Sequence, residues 1–314
     1  MKKFALMGVG GYIAPRHIEA INNTGNDLVA ALDKNDSVGI LDRYFMKTRF
    51  FTEFERFDRH LEKLRRNGTP VDYVSICSPN YLHDAHCRFA MRIEADAICE
   101  KPLVLNPWNI DALQELESEH QKKINTILQL RLHPNIIELK NKIDNASGDH
   151  IYDIDLTYIT SRGPWYQTSW KGDVSKSGGV ANNIGIHFFD MLLWIFGGVK
   201  TNAVHRFDTT RAAGYLELKK ARVRWYLSLE KEDLPHDAQQ KGQPTYRSIT
   251  IDGREIEFSG GFTDLHTRSY EEILAGRGFG LAEVRPSIQL VSDIRNSDIS
   301  TSKADGHPYL KKGS

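Results

Sequence analysis

The chain has 314 residues, 40% hydrophobic and 26% charged, with 41 basic residues balanced by 41 acidic ones. That length suits about two domains, the composition is that of an ordinary globular protein, and zero net charge offers no general attraction for nucleic acid or an anionic membrane. Three cysteines, Cys77, Cys87 and Cys99, are too few and too odd in number for a disulfide framework, and none makes a CxxC pair. Met1-Lys2-Lys3-Phe4 runs straight toward a glycine turn without the apolar core of a secretory leader, and no run approaches the ~20 apolar residues of a membrane span, so a cytoplasmic chain is expected.

Residues 4–7 read as a short strand emptying into Gly8-Val9-Gly10-Gly11, followed by a helix over 15–22 and a strand over 28–32 that ends at Asp33. Strand, glycine turn, helix, strand and acid, in that order, predict a dinucleotide-binding unit. The glycines let the backbone approach a pyrophosphate, and the acid accepts ribose hydroxyls. Asp33 lies 25 residues after Gly8, near the usual ~20-residue gap. A carboxylate there repels a 2′-phosphate, so NAD is expected over NADP. Ile13 stands where the third glycine of the full pattern would be, which asks for a wider approach of helix to strand.

Strands over 71–77, 97–99 and 124–130 alternate with a helix ending near residue 91 and another over 109–121. Such alternation predicts a doubly wound parallel sheet whose strands all empty toward one edge. Ser78, Pro79, Asn80 and His83 follow one strand, Glu100, Lys101 and Pro102 the next, and Gln129 closes the third. Ligands of α/β sheets bind outside the carboxyl ends of the strands, so Asn80, Lys101 and Gln129 are expected on one cleft, with the Lys101 ammonium as the leading catalytic candidate. The plain alternative for a lone Lys-Pro pair is a surface lysine in a turn. Proline after it also leaves a cis bond open.

After Arg131-Leu132-His133-Pro134 a helix over 136–145 gives way to period-2 stretches at 152–159, 221–229, 248–251 and 255–258, with a turn at Asp252-Gly253. These predict an antiparallel sheet. Between the first two lies Gly178-Gly179-Val180-Ala181-Asn182-Asn183-Ile184-Gly185-Ile186-His187, opening a helix that runs through Phe196. His187 and Asp190 are three apart and share a helical face. A histidine among Phe188, Phe189 and Trp194 is ordinarily core or surface filler. The two glycines and two asparagines ahead of it suggest backbone shaped to admit a ligand.

Taken together, Gly8-x-Gly10, Ser78-Pro79-Asn80-x-x-His83, Glu100-Lys101-Pro102, Gly178-Gly179 and Gly185-x-His187 resemble the Gfo/Idh/MocA oxidoreductase family over essentially the whole chain. Four longer segments resemble the bacterial branch of that family that oxidises UDP-N-acetylglucosaminuronate at C3, toward 2,3-diacetamido-uronic acids of lipopolysaccharide O-antigen. They are Gly11-Tyr12-Ile13-Ala14-Pro15-Arg16-His17, Thr160-Ser161-Arg162-Gly163-x-Trp165-Tyr166, Phe262-Thr263-Asp264-Leu265-His266 and Ser269-Tyr270-Glu271-Glu272-Ile273-Leu274-Ala275-Gly276. The resemblance implies a Rossmann domain over 1–130 and, over 131–314, an α/β domain with a large open, mostly antiparallel sheet that packs against a neighbour in a homotetramer. It implies catalysis by Lys101 and His187 without a metal. It places Gly8, Gly10, Gly11, Tyr12, Ile13, Asp33, Ser78, Pro79, Asn80, His83, Glu100, Lys101, Gln129, Trp165 and Tyr166 around NAD. An aspartate often stands four positions before the family's histidine. Here it is Asn183, which cannot relay a proton as a carboxylate can, so more of the acid–base work falls on His187 and Lys101.

Oxidising a hydroxyl by hydride loss requires a base near working pH, and His187, with an ordinary pKa of ~6.5, suits it. Lys101 as ammonium would stabilise alkoxide character, while the reverse assignment stays open because burial lowers a lysine's pKa. A UDP-sugar acid carries a diphosphate and a carboxylate, for which Arg131, Arg162 and Lys171 are the cationic candidates, with Lys101, Asn182, Asn183 and His187 beside the sugar. Trp165, Tyr166 and Trp170 either wall that site or simply pack. The resemblance also brings in 2-oxoglutarate as a hydride acceptor that recycles the cofactor in place. Two alternatives stand beside this reading: another sugar or polyol dehydrogenase of the family, and a non-catalytic sensor of NAD and a sugar nucleotide.

Overall fold

Phe4, Ala5, Leu6 and Met7 are buried without interruption, and a strand buried on both faces belongs inside a parallel sheet covered by helices. The computed structural model, which describes residues 1–146, 148–256, 264–302 and 304–311, places it there. Strands β1 (Lys3–Met7), β2 (Asp27–Leu32), β3 (Arg49–Phe51), β4 (Tyr73–Ile76), β5 (Asp96–Cys99) and β6 (Ile124–Thr126) form one parallel sheet in the order β3-β2-β1-β4-β5-β6. The order reverses between β1 and β4, and such a switch point opens a crevice at the carboxyl ends of those strands. Helices Ala14–Asn23, His83–Arg92 and Pro107–His120 occupy the expected crossovers, and the first and third carry proline in the opening turn, where a missing N–H costs nothing. The strand expected over 124–130 stops at Thr126, and Gln129–Leu132 coils into a 3₁₀ turn. The three-residue β3, partly exposed, lacked the apolar run that marks its neighbours.

Phe4 stacks on Tyr73 and Tyr270, with ring centroids 5.0 and 5.8 Å away. Tyr270 belongs to the helix Leu265–Leu274, far along the chain, and is fully buried in this core. One compact unit therefore comprises Met1–Leu132 with Thr263–Arg285, and the other His133–Phe262 with Pro286–Ser314. The sequence assigned 131–314 to a single domain. The return of this segment to the first unit has a physical reason: its helix buries a large aromatic against β1 and β4.

In the second unit, β7 (Tyr152–Thr160), β8 (Val199–Phe207), β9 (Arg211–Leu218), β10 (Ala221–Ser228), β11 (Thr245–Ile251) and β12 (Arg254–Glu255) form a sheet in the order β12-β11-β7-β10-β9-β8. Every neighbouring pair is antiparallel except β7 and β10. Strands β8 and β9 were not anticipated: β8 is an edge strand with little burial along its length. Of the strand expected over 255–258, residues 257 and 258 lie outside the described residues. The helix Ile186–Phe196 covers this sheet, with Phe188 against Tyr158 at 4.9 Å and Phe189 edge-on to Trp225 at 5.2 Å. The helical stretch Val174–Phe196 is long and apolar enough to cross a membrane, yet 83% of its apolar window is buried within the protein. An α/β architecture with a parallel and a mostly antiparallel sheet is the one the sequence predicted.

Candidate active site

Gly8 adopts φ +86°, and a Cβ there would lie 2.7 Å from backbone atoms of Cys77 and Ser78, so glycine alone fits at the end of β1. The Gly10 N–H donates to Asp33 Oδ2 at 2.9 Å, and the Asn35 N–H donates to Asp33 Oδ1 at 2.9 Å. Asp33 is thus stationed at the glycine turn, where ribose hydroxyls are read. A Cβ on Gly10 would come within 3.2 Å of that carboxylate, so the cradle suits a dinucleotide's close backbone approach. Gly11 is half-buried beside Gly8, and Tyr12 is 89% exposed. Ile13 packs against the first unit's core at the head of the helix Ala14–Asn23, so the replaced glycine has become an apolar plug.

Asn80, Lys101 and Gln129 follow the carboxyl ends of β4, β5 and β6, which are adjacent strands. The Lys101–Pro102 peptide is cis. His83 is buried, with Nδ1 2.7 Å from the Pro102 carbonyl and Nε2 2.8 Å from that of Ser78, so it links the turns after β4 and β5. Burial lowers its pKa against the pull of both carbonyls and of Glu100. Ser78 Oγ pairs with His86 Nδ1 at 2.8 Å. Pro79 and Lys101 are half-buried, as is Gln129, whereas Asn80 is buried. Glu100 is buried, and its Oε1 accepts from His17 Nε2 at 2.9 Å and from His266 Nε2 at 2.8 Å. Burial opposes its ionisation, but the two imidazole bonds outweigh that and hold the carboxyl well below its usual range. Arg131 is buried too: Nη2 donates to the Glu283 carbonyl at 2.9 Å, and its guanidinium sits 5.3 Å from the Phe279 ring. Sequence reasoning assigned no role to His17, His266 or Tyr270. Their one signal was membership of the branch-specific segments.

In the second unit, Arg162 and Trp165 are exposed and Lys171 is half-buried. The Lys171 ammonium lies 5.4 Å from the Trp165 ring and 5.3 Å from that of Trp170. Burial, and then the charge of Arg162, lower its pKa. Tyr166 is buried and its hydroxyl accepts from Asn183 Nδ2. Asn182 is fully buried and donates to the Ser177 carbonyl at 2.8 Å. The double glycine answers to this packing: Gly178 has φ +79° and a Cβ would fall 2.1 Å from Asn182 Nδ2, while one on Gly179 would meet the Phe207 ring at 2.8 Å. Its immediate neighbours are thus the protein's own side chains, where the sequence suggested room for a ligand. Asn182 and Asn183 lie in a π-helical turn, Ala181–Gly185, a device frequent at functional sites. The turn runs into the helix that carries half-buried His187 and buried Asp190.

A parallel sheet in this order, a glycine cradle and an acid closing β2 define a dinucleotide-binding unit. Residues 2–127 match the family model described as oxidoreductase family, NAD-binding Rossmann fold, and residues 140–237 match the same family's C-terminal alpha/beta domain. The WlbA (WbpB) dehydrogenase of Thermus thermophilus, solved in complex with NAD and alpha-ketoglutarate, is 49% identical with a TM-score of 0.95, over 99% of this chain and 100% of that one. The same enzyme with NAD and UDP-GlcNAcA gives 48% identity and a TM-score of 0.95 over the same shares. Inositol 2-dehydrogenase of Rhizobium meliloti is 27% identical over 199 residues, 62% of this chain and 55% of that protein. The chain thus spans about half the length of the curated relatives it matches. It belongs to the Gfo/Idh/MocA family of NAD-binding oxidoreductases.

Proposed function

We propose that the protein oxidises the C3 hydroxyl of UDP-N-acetylglucosaminuronate to the 3-keto sugar, in the route to 2,3-diacetamido-uronic acids of O-antigen. The observation that carries this reading is near-identity of fold over the whole chain, at 48% sequence identity, with a dehydrogenase solved with NAD and UDP-GlcNAcA. NAD, when bound at the Gly8–Gly11 turn and Asp33, supplies the hydride acceptor. His187 takes the hydroxyl proton as the C3 hydrogen leaves with its electron pair, and the Lys101 ammonium stabilises negative charge gathering on the oxygen. Arg162 and Lys171 hold the anionic parts of the substrate. Arg131 has the weaker claim, since part of its guanidinium serves the Glu283 carbonyl.

The complex of the Thermus enzyme with alpha-ketoglutarate supports a recycled cofactor, reoxidised in place by 2-oxoglutarate. A cytoplasmic homotetramer completes the proposal. The test is anaerobic incubation of the purified protein with NAD and UDP-N-acetylglucosaminuronate, followed at 340 nm, with 2-oxoglutarate in a second arm. Keto-sugar formation in either arm supports the reading, and turnover confined to the second shows recycling. A thermal-shift response to inositol or simple hexoses, with none to UDP-sugars, would instead favour a polyol or free-sugar dehydrogenase.

A further inference from the structure

The segments 11–17, 262–266 and 269–276, which carry the branch resemblance, contribute His17, His266 and Tyr270. In the fold all three gather around Glu100 (residues 262 and 263 lie outside the described residues). An ionised carboxylate only accepts, so both imidazoles present Nε2–H to its Oε1. The Nδ1 of His17 is then an acceptor for the Tyr270 O–H at 2.8 Å, and the Tyr270 oxygen accepts in turn from Ser75 Oγ at 2.6 Å. Every proton in this buried chain has one direction. The His266 Nδ1 has no hydrogen-bond partner among the described residues. Glu100 Oε2 faces the other way and accepts the backbone N–H of Lys101 at 3.2 Å.

Resting on the reading of Lys101 as a catalytic residue, we propose that His17 and His266, backed by Tyr270, are positioning residues that lock Glu100 as a fixed anion against the Lys101 backbone and so aim the lysine. His17, Glu100 and His266 also present metal-type ligand atoms within 4.8 Å of one another. Yet both imidazoles converge on a single carboxylate oxygen at 2.9 and 2.8 Å, which are hydrogen-bond lengths, so protons fill these contacts.

The titratable groups around Glu100 are His17 on the helix Ala14–Asn23, His266 and Tyr270 on the helix Leu265–Leu274, Cys77 after β4, Cys99 in β5, His83, and Lys101 itself. Losing a donor leaves the buried carboxylate under-stabilised and raises its pKa. His17→Leu should therefore lower kcat roughly 10²-fold, the usual cost of a small misplacement. KM for the UDP-sugar should hold, and the acid limb of the kcat profile should move to higher pH. His17→Gln, which keeps a donor and an acceptor, should recover most of the loss, and Tyr270→Phe should act in the same direction more weakly. Hydrogen-exchange mass spectrometry of the peptide around Lys101 gives a readout free of turnover: exchange accelerates in His17→Leu and not in His17→Gln. His17→Leu and His266→Leu proteins that melt like the parent and keep its kcat, pH profile and exchange would overturn the proposal. Stoichiometric zinc in the purified enzyme, with activity lost to a chelator, would overturn it too. If Lys101→Ala were fully active, the catalytic reading would fall while the exchange result still reported on the network.

Discussion

Both units take charge out of water, in opposite ways. Glu100 is buried in the first unit with two imidazole N–H groups and a backbone N–H directed at its oxygens. Lys171, half-buried in the second, has a like charge, Arg162, for company and aromatic faces for contact, and among the described residues no carboxylate pairs with either cation. A buried charge is costly unless partners complete it. The Glu100 carboxylate has three donors aimed at it, as the proposed support requires. The Arg162–Lys171 pair is electrostatically unfinished, and an anion would relieve it. The first pattern suits a support, and the second is what the proposed anion site would need.

The sharpest way to break that contrast is Lys101→Ala, which should cost about 10²–10⁴-fold in kcat while the melting temperature holds. Retention of rate would mean the locked anion supports nothing catalytic. On the open side, Arg162→Ala should raise KM for the UDP-sugar about 10- to 100-fold, matching a charged hydrogen bond of roughly 1.5–3 kcal/mol, with kcat little altered. Unchanged KM would remove that cation from the ligand site. Gly178→Ala tests whether the second unit's glycines are structural. Its Cβ would collide with Asn182 at a left-handed φ, so urea denaturation should show a loss of about 1–3 kcal/mol. A neutral result would return this turn to the role of ligand opening. Smallest is the response to acid. Among the described residues, burial holds His17, His60, His83 and His86 in the first unit, and His307 in the second, below their ordinary value, His86 and His307 to about 4. The unfolded chain then takes up protons first as pH drops below about 6.5, so stability is complete above that and declines toward lower pH. Glu100, held low, contributes fully above its ordinary value of about 4.3 and loses that contribution progressively as pH falls below it. Hydrogen exchange at pH 5 should accordingly loosen the first unit more than the second, and equal loosening would refute the count.

What was legible in the sequence was local. Phe4 to Met7, the Gly8 turn and Asp33 announce themselves because a buried strand, a tight turn and a ribose acid each fit within a few residues. The parallel sheet followed from alternation, while its strand order came only with the fold. The Glu100 network was not legible: its partners stand 83 and 166 residues away, and nothing in the local pattern of His17 or His266 names a carboxylate. Gly178 was read as part of a backbone shaped to admit a ligand; the fold adds a local demand for glycine there, since a Cβ would strike the side chain of Asn182. Arg131 was read as a cationic candidate for the substrate's anions, and its tie to Glu283 could be found only in three dimensions.

The return of Thr263–Arg285 to the first unit bears on how the protein is made. A ribosome that has released the nucleotide-binding portion through Leu132 has not yet delivered Tyr270 to cover Phe4, nor His266 to quiet Glu100. The nascent half must wait, with an unsealed aromatic pocket and a carboxylate short of one imidazole donor, while more than a hundred further residues are translated. A truncation at residue 132 should be a poor folder for that reason, and the mature enzyme is in effect stitched shut from its far end.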